Sequence, residues 1–222
     1  MAEYLSFLLD NNEAPPVWID KDNLNEIKEL QSILVVGPSS SGKTTMVNMM
    51  RKMIENDALH MFEIPKRLTT RPLRENEDLV ENDIVTHEEF AKRIDGGLAW
   101  DRDMGDGRVE RYGFPKVQAG KIAIYSANSA ILEPNARIIA DSDFFARTLI
   151  VYVNAPVEVL EKRMEQRSPD LFRDHPREVH MRLHEVFVSP KTHILVDHSD
   201  DSFETLEKSA KLILGAVQEL RT

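Results

Sequence analysis

The sequence contains no cysteine, which excludes disulfides and thiolate metal sites and suits a reducing compartment. No apolar run approaches the roughly 18 residues that a membrane-crossing helix requires. Glu3, Asp10 and Glu13 stand where a signal peptide would have a basic start, so a cytoplasmic location is expected. Positive charge is also scarce: 28 lysines and arginines against 38 acidic residues leave a formal net charge of −10. That balance disfavours general affinity for nucleic acid or an anionic membrane. Any anion the protein binds must be met by a local cluster of cations. Repeats and low-complexity segments are missing too, and 222 residues with 41% hydrophobic content suit one core domain, with room for a small mobile insert.

What is present begins at Ile33. The apolar run Ile33, Leu34, Val35, Val36 stops at Gly37, and Gly37, Gly42, Lys43 and Thr44 satisfy the G-x-x-x-x-G-K-[ST] spacing of a phosphate-binding loop. Successive backbone N–H groups over Ser39, Ser40, Ser41, Gly42 and Lys43 can line a concavity for phosphate oxygens, at the positive end of the helix that follows. Lys43 can reach the β- and γ-phosphates of ATP, and the Thr44 hydroxyl can complete a Mg²⁺ shell, with Thr45 beside it. ATP and Mg²⁺ are the expected cofactors, and Thr44 the expected metal contact.

Strand and helix signals then alternate. A helix is expected over Thr44–Ile54, strands over Leu59–Pro65, Asn82–Thr86, Leu98–Met104, Gly107–Phe114, Lys121–Tyr125, Thr148–Val153 and His193–Val196, and helices over His87–Ile94, Val157–Arg167, Arg177–Phe187 and Phe203–Leu220. Asn128–Arg147 reads as helix and loop. The expected fold class is α/β: a P-loop NTPase core with a mainly parallel sheet flanked by helices, an acceptor-binding insert and a mobile lid. Residues 1–31 form an N-terminal extension, with short helices expected over Tyr4–Leu9 and Asp22–Leu30. A packing extension is the favoured reading; an oligomer contact, as in a homodimer, and a cap over the active site are the alternatives. Residues 32–222 form the main domain.

Two arginine clusters stand out in this acidic chain. Arg67, Arg71 and Arg74 fall within KRLTTRPLRENE, and Arg163, Arg167, Arg173, Arg177 and Arg182 surround the proline-broken stretch SPDLFRDHP. Guanidinium groups grip phosphate oxygens bidentately. In phosphoryl transfer the protein mostly positions reactants and stabilises charge, so arginines on a closing lid are expected.

The ordered set of motifs resembles the guanylate kinase family across roughly residues 32 to 215: GPSSSGKTT, TTRP followed by Arg74 and Glu77, HEEF, the Trp100 strand, Tyr112-Gly113, APVEVLEKRMEQR and Arg182. The resemblance implies an acceptor-binding segment at about 66–114 and a lid at about 168–178. It implies that Lys43, Arg163, Arg167 and Arg182 surround the transferred phosphate, and that Arg71, Arg74 and Tyr112 hold the acceptor's phosphate.

Departures from the family pattern concern the acceptor. Members that bind guanine carry serine, tyrosine and glutamate where this chain has Arg67, Asn82 and Ala99. Ribose 1,5-bisphosphate phosphokinases, a branch with the same fold, resemble the chain more closely in having arginine at the Arg67 position and an E-N pair like Glu81-Asn82. No acidic residue ends the Lys121–Tyr125 strand, where related kinases place a carboxylate near Mg²⁺; Asp101 or Asp103 is the suggested substitute. The expected function is ATP-dependent phosphorylation of a small phosphorylated acceptor, a sugar phosphate or unusual nucleotide in preference to GMP. Arg67, Arg71, Arg74, Glu77, Asn82 and Tyr112 are the expected acceptor-binding residues, and Arg173 joins the catalytic set. A guanylate kinase is the main alternative, and a non-catalytic binding module the lesser one.

Overall fold

The computed structural model describes residues 17–20, 27, 29–57, 59–72, 82–94, 97–103, 109–132, 138–139, 143–167, 169–170, 192–200 and 202–219. The expectations that rest on Tyr4–Leu9, Gly105–Gly107 and Arg177–Phe187 lie outside the described residues.

The centre is strand β2, Ser32–Val36, buried along its whole length. It is flanked on one side by β8 (Ile122–Ser126) and then β3 (Phe62–Glu63), and on the other by β10 (Thr148–Asn154) and β11 (Ile194–Asp197), all parallel. Side chains alternate between the two faces. Ile33, Val35, Val151, Val153 and Ile124 join a core with Met46, Met50, Leu206 and Ile213, residues of helices α1 (Lys43–Asn56) and α4 (Phe203–Glu219). Leu34, Val36, Ile150, Tyr152 and Tyr125 point the other way, into an aromatic layer with Trp100, Tyr112 and Phe114. A strand covered on both faces needs a continuous apolar run, which is why ILVV and TLIVYV carry so clear a signal.

The aromatic layer belongs to a second sheet, ordered β5 (Asn82–Ile84), β4 (Arg67–Thr69), β7 (Val109–Phe114), β6 (Leu98–Asp103), β9 (Ile138–Ile139). Its other face buries Leu68, Val85 and Ala99 with Phe90 of helix α2, His87–Arg93. That helix starts as T-x-x-E predicts: the Thr86 side chain accepts from the Glu89 N–H, and lysine and arginine occupy its last turn. Helix α3, Val157–Arg167, matches its expected span.

Five stretches differ from expectation. Val17–Ile19 forms a strand, β1, antiparallel to β11 at the sheet edge. The expected strand over Leu59–Pro65 shrinks to two residues, because Leu59 and Phe62 are spent on turns back to Ile54 and Leu59. Arg67–Thr69 is strand, where only a loop cluster of arginines was foreseen. In Asn128–Arg147 the described residues hold two 3₁₀ turns, Ser129–Leu132 and Phe145–Arg147, and β9, with no α-helix. The described residues of Asp22–Leu30 are not helical, although Ile27 and Leu30 pack on the core. No helix among the described residues is long and apolar enough to cross a membrane.

Candidate active site

β2 lies between β8 and β10, so successive crossovers run to opposite sides of it, and a ligand crevice opens beyond its carboxyl end. There the loop Gly37–Gly42 turns into α1. A Cβ at Gly37, where φ is +152°, would sit 2.2 Å from the Val153 carbonyl oxygen, so only glycine lets the loop pass so close to β10. Ser40 adopts φ 64° and Gly42 φ 105°. Gly42 caps α1 with no side-chain acceptor, which leaves the helix's first N–H groups to the concavity of the loop. The Ser41 hydroxyl is buried beneath and makes no hydrogen bond among the described residues.

Lys43 donates its ammonium across the loop to the Pro38 carbonyl at 2.5 Å. Arg163, on α3, lies against the same loop: Nη1 is 3.4 Å from the Ser40 carbonyl and Nη2 donates to the His198 carbonyl at 2.8 Å. His198 follows β11 directly. Its buried Nδ1 is 2.9 Å from the Ser41 carbonyl and 3.1 Å from Arg163 Nη1. The structure therefore places Arg163 as a brace between loop and β11, whereas Arg167, one turn on, is exposed. Arg173 and Arg182 lie outside the described residues, as do Arg74 and Glu77.

An open crevice runs from this loop to the second sheet, lined by Thr44, Val47, Asn48, Arg51, Ile64, Pro65, Arg67, Phe114, Ile124 and Ser126. Thr44 and Arg67, taken from opposite ends of the motif set, thus face one space. Arg67 donates from Nε to Asn82 Oδ1 at 2.8 Å, and its guanidinium carbon is 5.8 Å from the centroid of the Tyr112 ring. Two of the three departures from the guanine-binding pattern are thus one hydrogen-bonded unit. Tyr112 is stacked on Trp100 at 5.7 Å and donates its hydroxyl to Glu110. Arg71 is buried beside the unit's strand, with Nη1 donating to the Pro72 carbonyl at 2.9 Å. Ala99 points to the α2 side, into the cluster with Leu68 and Phe90, away from the aromatic layer.

The suggested carboxylate substitute does not hold for Asp101, which faces Arg111 across the β6–β7 ladder and pairs with it at 3.3 Å. The Asp103 side chain lies outside the described residues. Among the described residues no group of three acidic or histidine side chains gathers for a metal. The donor set that remains, the Thr44 hydroxyl at an open crevice, fits Mg²⁺, which keeps several waters and takes most of its other oxygens from substrate phosphates.

Asn48, Arg51, Ser126 and His198 were not foreseen. For Asn48 and Arg51 the signal was available: with Thr44 they follow spacings of four and three, one polar face of α1 behind the methionines that mark the apolar one.

No family profile matches the chain. Against curated proteins it is 31% identical over 140 residues to the ribose 1,5-bisphosphate phosphokinase PhnN of Methylobacterium radiotolerans, covering 61% of this chain and 73% of that protein. The chain belongs to the ribose 1,5-bisphosphate phosphokinase family. It is a P-loop kinase, as the resemblance implied. A second member of that family, from Rhodopseudomonas palustris, is 30% identical over 144 residues, covering 61% of this chain and 66% of its own length. Among solved structures, guanylate kinase from Anaplasma phagocytophilum aligns with 86% of this chain and 87% of its own at 18% identity and a TM-score of 0.45. Membership of the phosphokinase family agrees with the Arg67–Asn82 unit, since both residues were the features that drew the chain toward that branch.

Proposed function

We propose that the protein transfers the γ-phosphoryl group of ATP, with Mg²⁺, to a phosphate of a phosphorylated pentose, ribose 1,5-bisphosphate being the substrate that the names of its relatives give. The observation that carries this reading is the Arg67–Asn82 unit on the crevice that Thr44 opens into. A guanidinium held in a fixed orientation suits phosphate oxygens; it offers nothing to the N–H donors on the edge of a guanine base.

In this reading the loop amides from Ser39 to Thr45 hold the triphosphate. Lys43 exchanges the Pro38 carbonyl for β- and γ-oxygens, a trade that makes its charge-assisted bond stronger. Thr44 holds Mg²⁺, which supplies neutralising charge at the phosphates. Arg67, Arg71 and Tyr112, with Arg74 and Glu77 of the same segment, hold the acceptor. An acceptor phosphate oxygen attacks the γ-phosphorus, the bond from that phosphorus to the β,γ-bridging oxygen breaks, and its electron pair leaves with ADP. Arg163 keeps the loop in register through Ser40 and His198, while Arg173 from the lid at about 168–178, with Arg167 just before it and Arg182 beyond it, meets the migrating charge. A carboxylate base is unnecessary, because a phosphate oxygen is already an anionic nucleophile.

Turnover of a panel of ribose phosphates and nucleoside monophosphates with ATP tests the proposal. Ribose 1,5-bisphosphate should give the highest kcat/KM. Efficient phosphorylation of GMP, with none of the pentose phosphates, would overturn it.

A further inference from the structure

The crevice holds a second arginine that neither the family pattern nor the loop motif accounts for. Arg51 lies two turns along α1 from Thr44 and on the same face, which places its backbone about 10 Å further along the helix axis. It lines the crevice together with Arg67, which reaches in from β4. Arg51 is half-buried, its Nε is shut off from solvent, and that atom makes no hydrogen bond among the described residues. Its neighbours along the wall are Val47, Ile64, Pro65, Phe114 and Ile124, and none of the ten lining residues is acidic. A guanidinium half withdrawn from water, with no anion beside it among the described residues, is disfavoured on its own. Low-dielectric walls strengthen its attraction for any anion that enters.

We propose that Arg51 is a specificity-determining residue that grips the acceptor's second phosphate, the one that does not receive the phosphoryl group, and so selects sugars phosphorylated at two positions. The inference rests on the kinase reading above and deepens it. Thr44 marks the donor end of the crevice, and Arg51 lies further from that end along the same helix face. An acceptor carrying one phosphate toward the donor and another beyond the sugar spans that interval; a sugar with only the reacting phosphate leaves Arg51 unmatched. Asn48, between the two on the helix face, offers an amide to the sugar hydroxyls.

The test is steady-state kinetics of the full chain and of Arg51→Met and Arg51→Lys, with ribose 1,5-bisphosphate and with ribose 1-phosphate as acceptors. Methionine keeps the aliphatic stem and removes the fork, and lysine restores charge without bidentate geometry. Loss of a charge-assisted contact predicts a KM for the bisphosphate raised about 10- to 100-fold in Arg51→Met, with partial recovery in Arg51→Lys. The KM for ATP and the kcat/KM for ribose 1-phosphate should be unchanged, so that preference for the bisphosphate collapses. Thermal melts of both variants separate this from misfolding, and if Arg51→Met melts early, Arg51→Lys carries the comparison. An equal loss on both acceptors, or an unaltered bisphosphate KM, would overturn the assignment of Arg51 while leaving the kinase intact. A wild-type enzyme that ignores the bisphosphate and uses GMP would overturn both.

Discussion

At the scale of the residue, the hydrogen bond from Arg67 to Asn82 divides the site's chemistry most sharply. A free arginine side chain samples many rotamers, whereas one whose Nε is fixed on an amide oxygen presents its remaining donors in a set direction. In the proposed reaction Asn82 therefore acts on the acceptor through Arg67. Arg67→Ala and Asn82→Ala should each lower kcat/KM for the acceptor, and the double variant should be little worse than Arg67→Ala alone. The coupling expected is about 1–3 kcal/mol, from a hydrogen bond to a charged group. Kinetics of the four proteins measure it, and strictly additive losses would show two independent contacts. Both residues were visible in the sequence as departures from a guanine site. Their pairing was not, because it depends on β4 and β5 lying parallel in register, Arg67 opposite Asn82, across an intervening segment that carries no strand pattern.

At the scale of the element, β5 is an edge strand held by charge as well as by its ladder. Asp83 accepts from Arg93 of α2 at 2.6 Å, and Lys66, just before β4, lies 3.7 Å away. The Arg93 hydrogen bond, against a smaller opposing effect of burial, holds the Asp83 carboxyl below the usual carboxylate range. A depressed folded-state pKa means the contribution is present above the unfolded value near 3.8 and is lost as pH falls through the folded one. Asp83→Asn should cost no more than about 1 kcal/mol at neutral pH, since the pair is partly exposed. Melting curves of the two proteins should converge below about pH 4. A gap that persists in acid would mean the asparagine disturbs packing.

Elements with a strong period or a cap were legible: β2, β10, α2, α3 and α4 all appear within a residue or two of where the pattern puts them. Those set by tertiary pairing were not. β1 and β9 are strands only because β11 and β6 offer an edge to them, and β3 begins late because turn hydrogen bonds hold the Leu59 and Phe62 N–H groups.

At the scale of the whole molecule, the P-loop hangs from a sheet whose second face is sealed by aromatic rings: Trp100, Tyr112, Phe114, Tyr125 and Phe144 run in contact from one sheet to the other. The motif order made the two parts legible; that rings would join them was hidden, because each ring lies on a different short element. The seal has a titratable weakness. Burial raises the Tyr125 phenol to about 12, with the Glu63 charge adding to it, and burial, against a smaller lowering by Ser129, pushes Tyr152 to about 12 as well. Their ordinary value is 10.0. Both folded-state values lie above the unfolded ones, so the stability tied to the neutral phenols is complete below about pH 10 and drains away as pH rises toward 12. Each contributes up to about 2 kcal/mol. Alkaline titration should show the phenolate absorbance of these two tyrosines appearing together with loss of near-ultraviolet dichroism, in one cooperative step. In Tyr125→Phe the step should move to higher pH, because one of the two ionisations that favour the unfolded chain is gone. Phenolate signal from all four tyrosines near pH 10 in a protein with its dichroism intact would mean that water reaches the rings and that the two sheets are not sealed against each other.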